Sequence, residues 1–151
     1  MDEREKKVIA DIEEYGCHIV HVIEEDDLPR FTYSVGIEKT TGSPDVIITG
    51  LKREVAHWVI NEYKNRIRSG DSFIPGTFYD GFLESFDVTF IEVAKEYYQE
   101  YFGWGLWYNN GDSFKMLQLV YPSTSGVWPW DKDVAESFLL FQPLLKEQAN
   151  N

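Results

Sequence analysis

Cys17, His18 and His21 lie close together in the chain. A thiol beside imidazoles is the donor set of a zinc site, and equally of a cysteine nucleophile with its base. The run that carries them, Cys17 to Ile23, is almost continuously apolar and rich in β-branched residues, which is the composition of a strand. Side chains alternate along a strand, so Cys17 and His21 share one face and His18 takes the other. A tetrahedral N/S site would then need His57, the one remaining histidine, and carboxylates to complete it. No metal is expected, and these residues are read as members of a sheet core. Cys17 could meet His57 if a helix packs over the sheet, but a thiol inside an apolar run is expected to be buried and inert. Other chemistries lack their motifs. There is no Gly-x-Ser-x-Gly elbow, and Ser34 falls inside a strand. There is no phosphate-cradling Gly-x-x-x-x-Gly-Lys or Gly-x-Gly-x-x-Gly, and Gly103-Trp104-Gly105 reads as a turn. Carboxylates are abundant, yet no spacing singles out an acid/base pair. No catalytic residue and no cofactor follow, and the reading leans away from an enzyme.

Charge and aromatic content point instead to association. The 151-residue chain carries 26 Asp and Glu against 14 Lys and Arg, a net charge of −12. Its basic candidates Lys52, Arg53, Lys64, Arg66 and Arg68 lie on one predicted helix and are diluted by Glu54 and Glu62. Nucleic-acid binding is disfavoured by such a surface. A basic protein partner is favoured, because complementary fields speed encounter. The plain alternative is that acidity only maintains solubility. The run Glu24-Glu25-Asp26-Asp27 is the candidate steering segment. Aromatic residues make up 16% of the chain, and Trp104, Trp107, Tyr108, Trp128 and Trp130 are expected in loops. Loop tryptophans supply rigid contact area for recognition, so Trp104 and Trp107 are the candidate anchors. Trp128-Pro129-Trp130 is expected to fold back on the core. The single cysteine excludes an internal disulfide, and the opening Met-Asp-Glu-Arg-Glu-Lys-Lys has no apolar signal region. No apolar run reaches the ~18 residues of a membrane span. A cytoplasmic location is expected.

Hydrophobic periodicity supplies the elements that must position these residues. Helix is predicted over 3–15, with Val8, Ile12 and Tyr15 in register and Gly16 ending it. Strands are predicted over 17–23, 31–37, 45–49, 88–94 and 114–121. A long helix is predicted over 52–69, its stripe formed by Val55, Trp58, Val59, Tyr63 and Ile67. Residues 71–87 read as an irregular loop or loose hairpin, 95–102 as a short helix, and 103–112 as loop and turn. Asp131 is expected to cap a last short helix bearing Val134, Phe138 and Phe141, with a frayed tail after Leu145. The economical sum is one α+β domain over 1–151. It would hold a mostly antiparallel sheet of about five strands with two to four helices.

Two separated signatures carry a family resemblance. The first is Phe31-Thr32-Tyr33-Ser34-Val35-Gly36-Ile37 with Pro44-Asp45 and Gly50-Leu51. The second is Gln118-Leu119-Val120-Tyr121-Pro122 with Gly126-Val127-Trp128-Pro129-Trp130 and Gln142-Pro143-Leu144-Leu145. Together, from about Tyr15 to Leu145, they resemble the bacterial domain-of-unknown-function family 4262. Ser123 stands where that family commonly has Asp, and Asp45 where it often has Glu. The first block is also similar to the opening of suppressor-of-fused-like domains, a group that includes bacterial immunity proteins of toxin systems. The leading expectation is a non-enzymatic acidic binding module of the immunity or antitoxin kind, neutralising a basic partner such as a toxin domain. The alternative is a small-molecule-binding domain or enzyme whose pocket gathers Tyr33, Ser34, Asp45, Trp128 and Trp130. Fold maintenance is the plain account of the same residues, with Gly36 needed for close backbone approach and Pro129 for a rigid turn. The sequence leaves the oligomeric state open.

Overall fold

The computed structural model describes residues 1–148. The chain is α+β, with one mixed six-stranded sheet in the order β1-β2-β3-β6-β5-β4. The strands are β1 (His18–Val22), β2 (Phe31–Val35), β3 (Asp45–Thr49), β4 (Tyr79–Leu83), β5 (Phe86–Glu92) and β6 (Met116–Val120). Each neighbouring pair is antiparallel except β3 and β6, which run parallel with Asp45 opposite Met116. Among the described residues six α-helices accompany them: α1 (Glu3–Tyr15), α2 (Ile37–Thr41), α3 (Arg53–Arg68), α4 (Tyr98–Tyr101), α5 (Gly103–Asn109) and α6 (Glu136–Phe141). The count exceeds the expected five strands and two to four helices. The extra strand is β4, which pairs with β5 as a hairpin within the 71–87 region that reads as an irregular loop or loose hairpin. The extra helices are the short α2 and α5.

Period-two alternation divides the core into two layers. Val46, Ile48, Val88, Phe90, Leu117 and Leu119 face Val59, Ile60, Tyr63 and Ile67 of α3. Phe31, Tyr33, Val35, Ile47 and Met116 face Val8 and Ile12 of α1 and the Tyr98, Tyr101 and Phe102 region. Helix α1 starts on a full capping box, in which the Asp2 side chain accepts from Glu5 N and the Glu5 side chain accepts from Asp2 N. It stops at Gly16, whose φ of 89° is left-handed.

Three local expectations are corrected. Helix α3 is rotated relative to the predicted stripe. Ala56, Val59, Ile60, Tyr63, Lys64 and Ile67 are buried, whereas Val55 and Trp58 are 40% and 54% exposed. The small Ala56 occupies the inward position, which leaves the larger pair outside. Residues 103–109 form helix α5 rather than a loop, stopped by Asn110 in the left-handed conformation. Asp131 does not cap α6, whose N-cap is Ala135; it accepts instead from Trp128 N at 2.8 Å and closes the aromatic turn. The frayed tail expected after Leu145 falls partly on 149–151, outside the described residues, while Gln148 donates to the Tyr97 hydroxyl.

Candidate functional site

Asp45, at the start of β3, is the polar centre of the first signature. Its Oδ1 accepts from Ser34 Oγ at 2.7 Å and from Ile37 N at 2.9 Å, and its Oδ2 accepts from Glu38 N at 3.2 Å. The Ser34 hydroxyl in turn accepts from Val46 N at 3.0 Å. The carboxyl therefore closes the N-terminal turn of α2 and clasps β2 to β3. It is 1% exposed, and burial pushes its pKa up to about 7 against the lowering effect of the three donors. Gly36 makes the turn possible. It has φ 99°, and a Cβ there would lie 2.8 Å from Ile12 Cγ1. The close approach expected at this glycine is thus made by helix α1.

Tyr33 points into the α1-side layer of the core, on the face of β2 opposite to Ser34. Its hydroxyl accepts from Trp104 N at 3.1 Å and is pushed up to about 12 by burial. Ser34 and Asp45 are brought together, but both are sealed, at 1% exposure each. Trp128 and Trp130 stack with ring centres 5.2 Å apart, and Phe78 meets Trp128 edge-on. Pro129 is buried and Trp130 is 48% exposed. None of the five residues grouped as a candidate pocket lines any of the three surface cavities found at 680, 560 and 220 Å³.

The second signature is equally internal. Gln142 accepts from Tyr121 N and donates to Tyr121 O, completing β6 as a neighbouring strand residue would. Gln118 donates to Pro143 O and accepts from Leu145 N, which fixes the C-terminal segment against the sheet. Ser123 Oγ accepts from Val127 N in a closed turn, a task that a carboxylate in its place would also perform.

The Cys17–His21 run separates as alternation requires. His18 bonds Asp11 of α1 at 2.7 Å, while His21 faces α3, with its Nε2 3.1 Å from His57 Nδ1. Cys17 is buried, and desolvation pushes its thiol up to about 12, which disfavours the thiolate that a nucleophile needs. Among the described residues no group of three His, Cys, Asp or Glu is placed to hold a metal ion. No helix among them is long and apolar enough to cross a membrane.

The candidate interaction residues fall on the surface to different degrees. Glu24, Glu25, Asp26 and Asp27 are all exposed in the β1–β2 turn. Trp104 and Trp107 are half-buried on α5, edge to face at 5.5 Å, and pack against the α1-side core. Sequence reasoning missed a third aromatic site. Val55 and Trp58 of α3 and Phe82 and Leu83 of edge strand β4 line the 560 Å³ groove, with Glu54 and Glu84 at its margin. Among the described residues no Lys or Arg lines it, although Arg66 of α3 lies over the Phe82 ring at 4.0 Å and is held by Glu62 and by the Asp80 carbonyl. The β4–β5 hairpin beside it bears Asp80, Glu84 and Asp87, all exposed, and no cation anywhere from Tyr79 to Glu92. The overlooked signal was Trp58 one position off the i, i+3, i+4 pattern that Ala56, Val59, Ile60 and Tyr63 already fill.

These arrangements define a class: a small α+β domain whose motif side chains hold the fold, with its spare aromatic surface facing outward. The chain belongs to the family of the Domain of unknown function (DUF4262), whose model matches residues 11–135. The match starts inside α1 and ends before α6, so the Gln142-Pro143 part of the closing signature lies beyond it. No curated protein and no solved structure matches the chain significantly.

Proposed function

We propose that this chain is a non-catalytic, cytoplasmic protein-binding module that captures a basic partner, in the manner of an immunity or antitoxin protein. The observation that carries the reading is the groove of Val55, Trp58, Phe82 and Leu83 bounded by Glu54 and Glu84. A half-exposed tryptophan over an apolar floor is the usual composition of a binding hot spot. The acidic margin and the net charge of −12 select a cationic partner and speed its approach. Trp58 is the anchor in this reading. Trp104 and Trp107 already spend much of their surface on the chain's own core. Glu24 to Asp27 belong to the β1 edge of the sheet and the groove to the β4 edge, so the acidic turn adds to the overall field rather than touching the same partner residue.

The reading is tested by capture from the native host at low and high salt, with wild-type and Trp58→Ala protein. A stoichiometric basic protein, weakened by salt and lost in the variant, supports it. Capture indifferent to both salt and Trp58, or a small molecule released on denaturation with no protein partner, refutes it.

A further inference from the structure

The other edge of the sheet is also unoccupied, and its chemistry is reversed. Strand β1 pairs only with β2, and all five of its residues are half-exposed. Its free side therefore presents main-chain N–H and C=O groups that no other strand takes up among the described residues. A 220 Å³ cleft runs along it. The cleft is lined by consecutive residues of the strand, His18 to His21, whose side chains leave opposite faces of the sheet, so it follows the strand's edge. Arg4 and Lys7 of α1, with Trp104, form one wall, and Arg53 at the start of α3 stands at the other.

Among the described residues no carboxylate lines the cleft, in a protein whose net charge is −12. Asp11 of α1 is already held by Lys7 at 3.2 Å and by His18 at 2.7 Å, and Glu54, which follows Arg53, acts on His21 without lining the cleft. Neither Arg4 nor Arg53 forms an ion pair among the described residues; Arg4 lies over the Trp104 ring at 5.2 Å. We infer that β1 is an acceptor edge for an extended acidic peptide segment of another protein. The segment adds to the sheet as a seventh strand through main-chain hydrogen bonds, with carboxylates reaching Arg4 and Lys7 on one side and Arg53 on the other. Successive side chains of an added strand point to opposite faces, so two adjacent acidic residues satisfy both walls at once. A second copy of this chain is the less fitting occupant. A two-fold β1–β1 pairing would bring Arg4, Lys7 and Arg53 against their own counterparts. This site is independent of the groove between α3 and β4.

The test uses the full chain and the peptide acetyl-Thr-Val-Glu-Glu-Val-Thr-amide, read by NMR amide shifts and by hydrogen exchange at low salt. Saturable shifts centred on His18–Val22, with exchange slowed at alternate amides of that strand, are expected. The Lys-Lys counterpart of the peptide is expected not to bind. Reversal of both arginines, Arg4→Glu with Arg53→Glu, is expected to weaken binding about tenfold or more, each exposed pair being worth a few-fold. Both arginines are exposed, so the variant keeps the wild-type fold, which its circular dichroism verifies. Equal binding of a backbone N-methylated peptide, or of glutarate alone, would reduce the site to an anion patch and overturn strand addition. Concentration-dependent protection of β1 without peptide would assign the edge to a second copy. Absence of binding would leave the cations with only the task of guarding an open edge from aggregation. Each of these three results refutes the inference.

Discussion

Replacing Asp45 by asparagine removes a fully buried carboxyl while keeping its shape. In the fold this group titrates at about 7, against an ordinary value of 3.8. The unfolded chain therefore ionises first as pH rises, while the folded chain still holds the proton. Stability is greatest below the unfolded value and declines until the pH passes the folded value. At 1.36 kcal/mol for each power of ten, the full difference amounts to about 4 kcal/mol, of which about 3 kcal/mol falls between pH 5 and 8. Urea unfolding of wild type and Asp45→Asn at matched pH isolates this contribution, because the many exposed carboxylates are common to both. With a slope of about 2 kcal/mol per molar urea, the midpoint of the wild type relative to the variant should drop by about 1.5 M between pH 5 and 8. Parallel midpoints at all pH values would show that the group does not titrate in this range. A wild type that gains on the variant as pH rises would show that Ser34 and the two backbone N–H donors outweigh desolvation, which overturns the stated balance.

Other expectations are simpler to read. Gly36→Ala forces a Cβ against Ile12 at a φ of 99° and should cost at least about 1–3 kcal/mol by thermal or urea unfolding. Gln142→Leu leaves the buried N–H and C=O of Tyr121 without their partners and should cost about 2–4 kcal/mol, measured in the same way. Trp58→Ala should change stability by no more than about 1 kcal/mol while abolishing partner capture, separating docking from folding. Cys17 should react with a thiol reagent only at the rate of unfolding, in native buffer at pH 8.

Much of the scaffold was legible because its signals are local. Val8 and Ile12 with Gly16 define α1, and Val46-Ile47-Ile48 between Pro44 and Gly50 defines β3, with the boundaries found in the structure. Helix α2 escaped because Ile37–Thr41 is short and its N-terminus is satisfied by Asp45, eight residues or fewer downstream of the groups it binds, rather than by a capping side chain of its own. Helix α5 escaped because Gly103 and Gly105 suppress helical propensity, and burial against Phe114 and Tyr33 overrides it. The first signature was read as a possible pocket because serine and aspartate at fixed spacing also suit chemistry. Only their mutual bonding and burial show that here they are used within the fold. Trp58 is placed on the core stripe by its spacing with Val55, Val59 and Tyr63. The rotation of α3 that exposes it depends on which residues β4 and β5 present beneath it, and pattern within the helix alone does not contain that information.

The central pairing of the sheet has a consequence for synthesis. Strand β3 is buried along its whole length, and one of its two neighbours, β6, begins at Met116 opposite Asp45, about 70 residues later. On a ribosome adding about 5–20 residues per second, the first half of the chain waits roughly 4–14 s with the Val46-Ile47-Ile48 edge uncovered. During that interval the nascent β1-β2-β3 sheet offers an apolar, unpaired margin to other nascent copies or to a chaperone. Slowed translation between residues 50 and 116 should therefore lower soluble yield more than the same slowing placed after Val120.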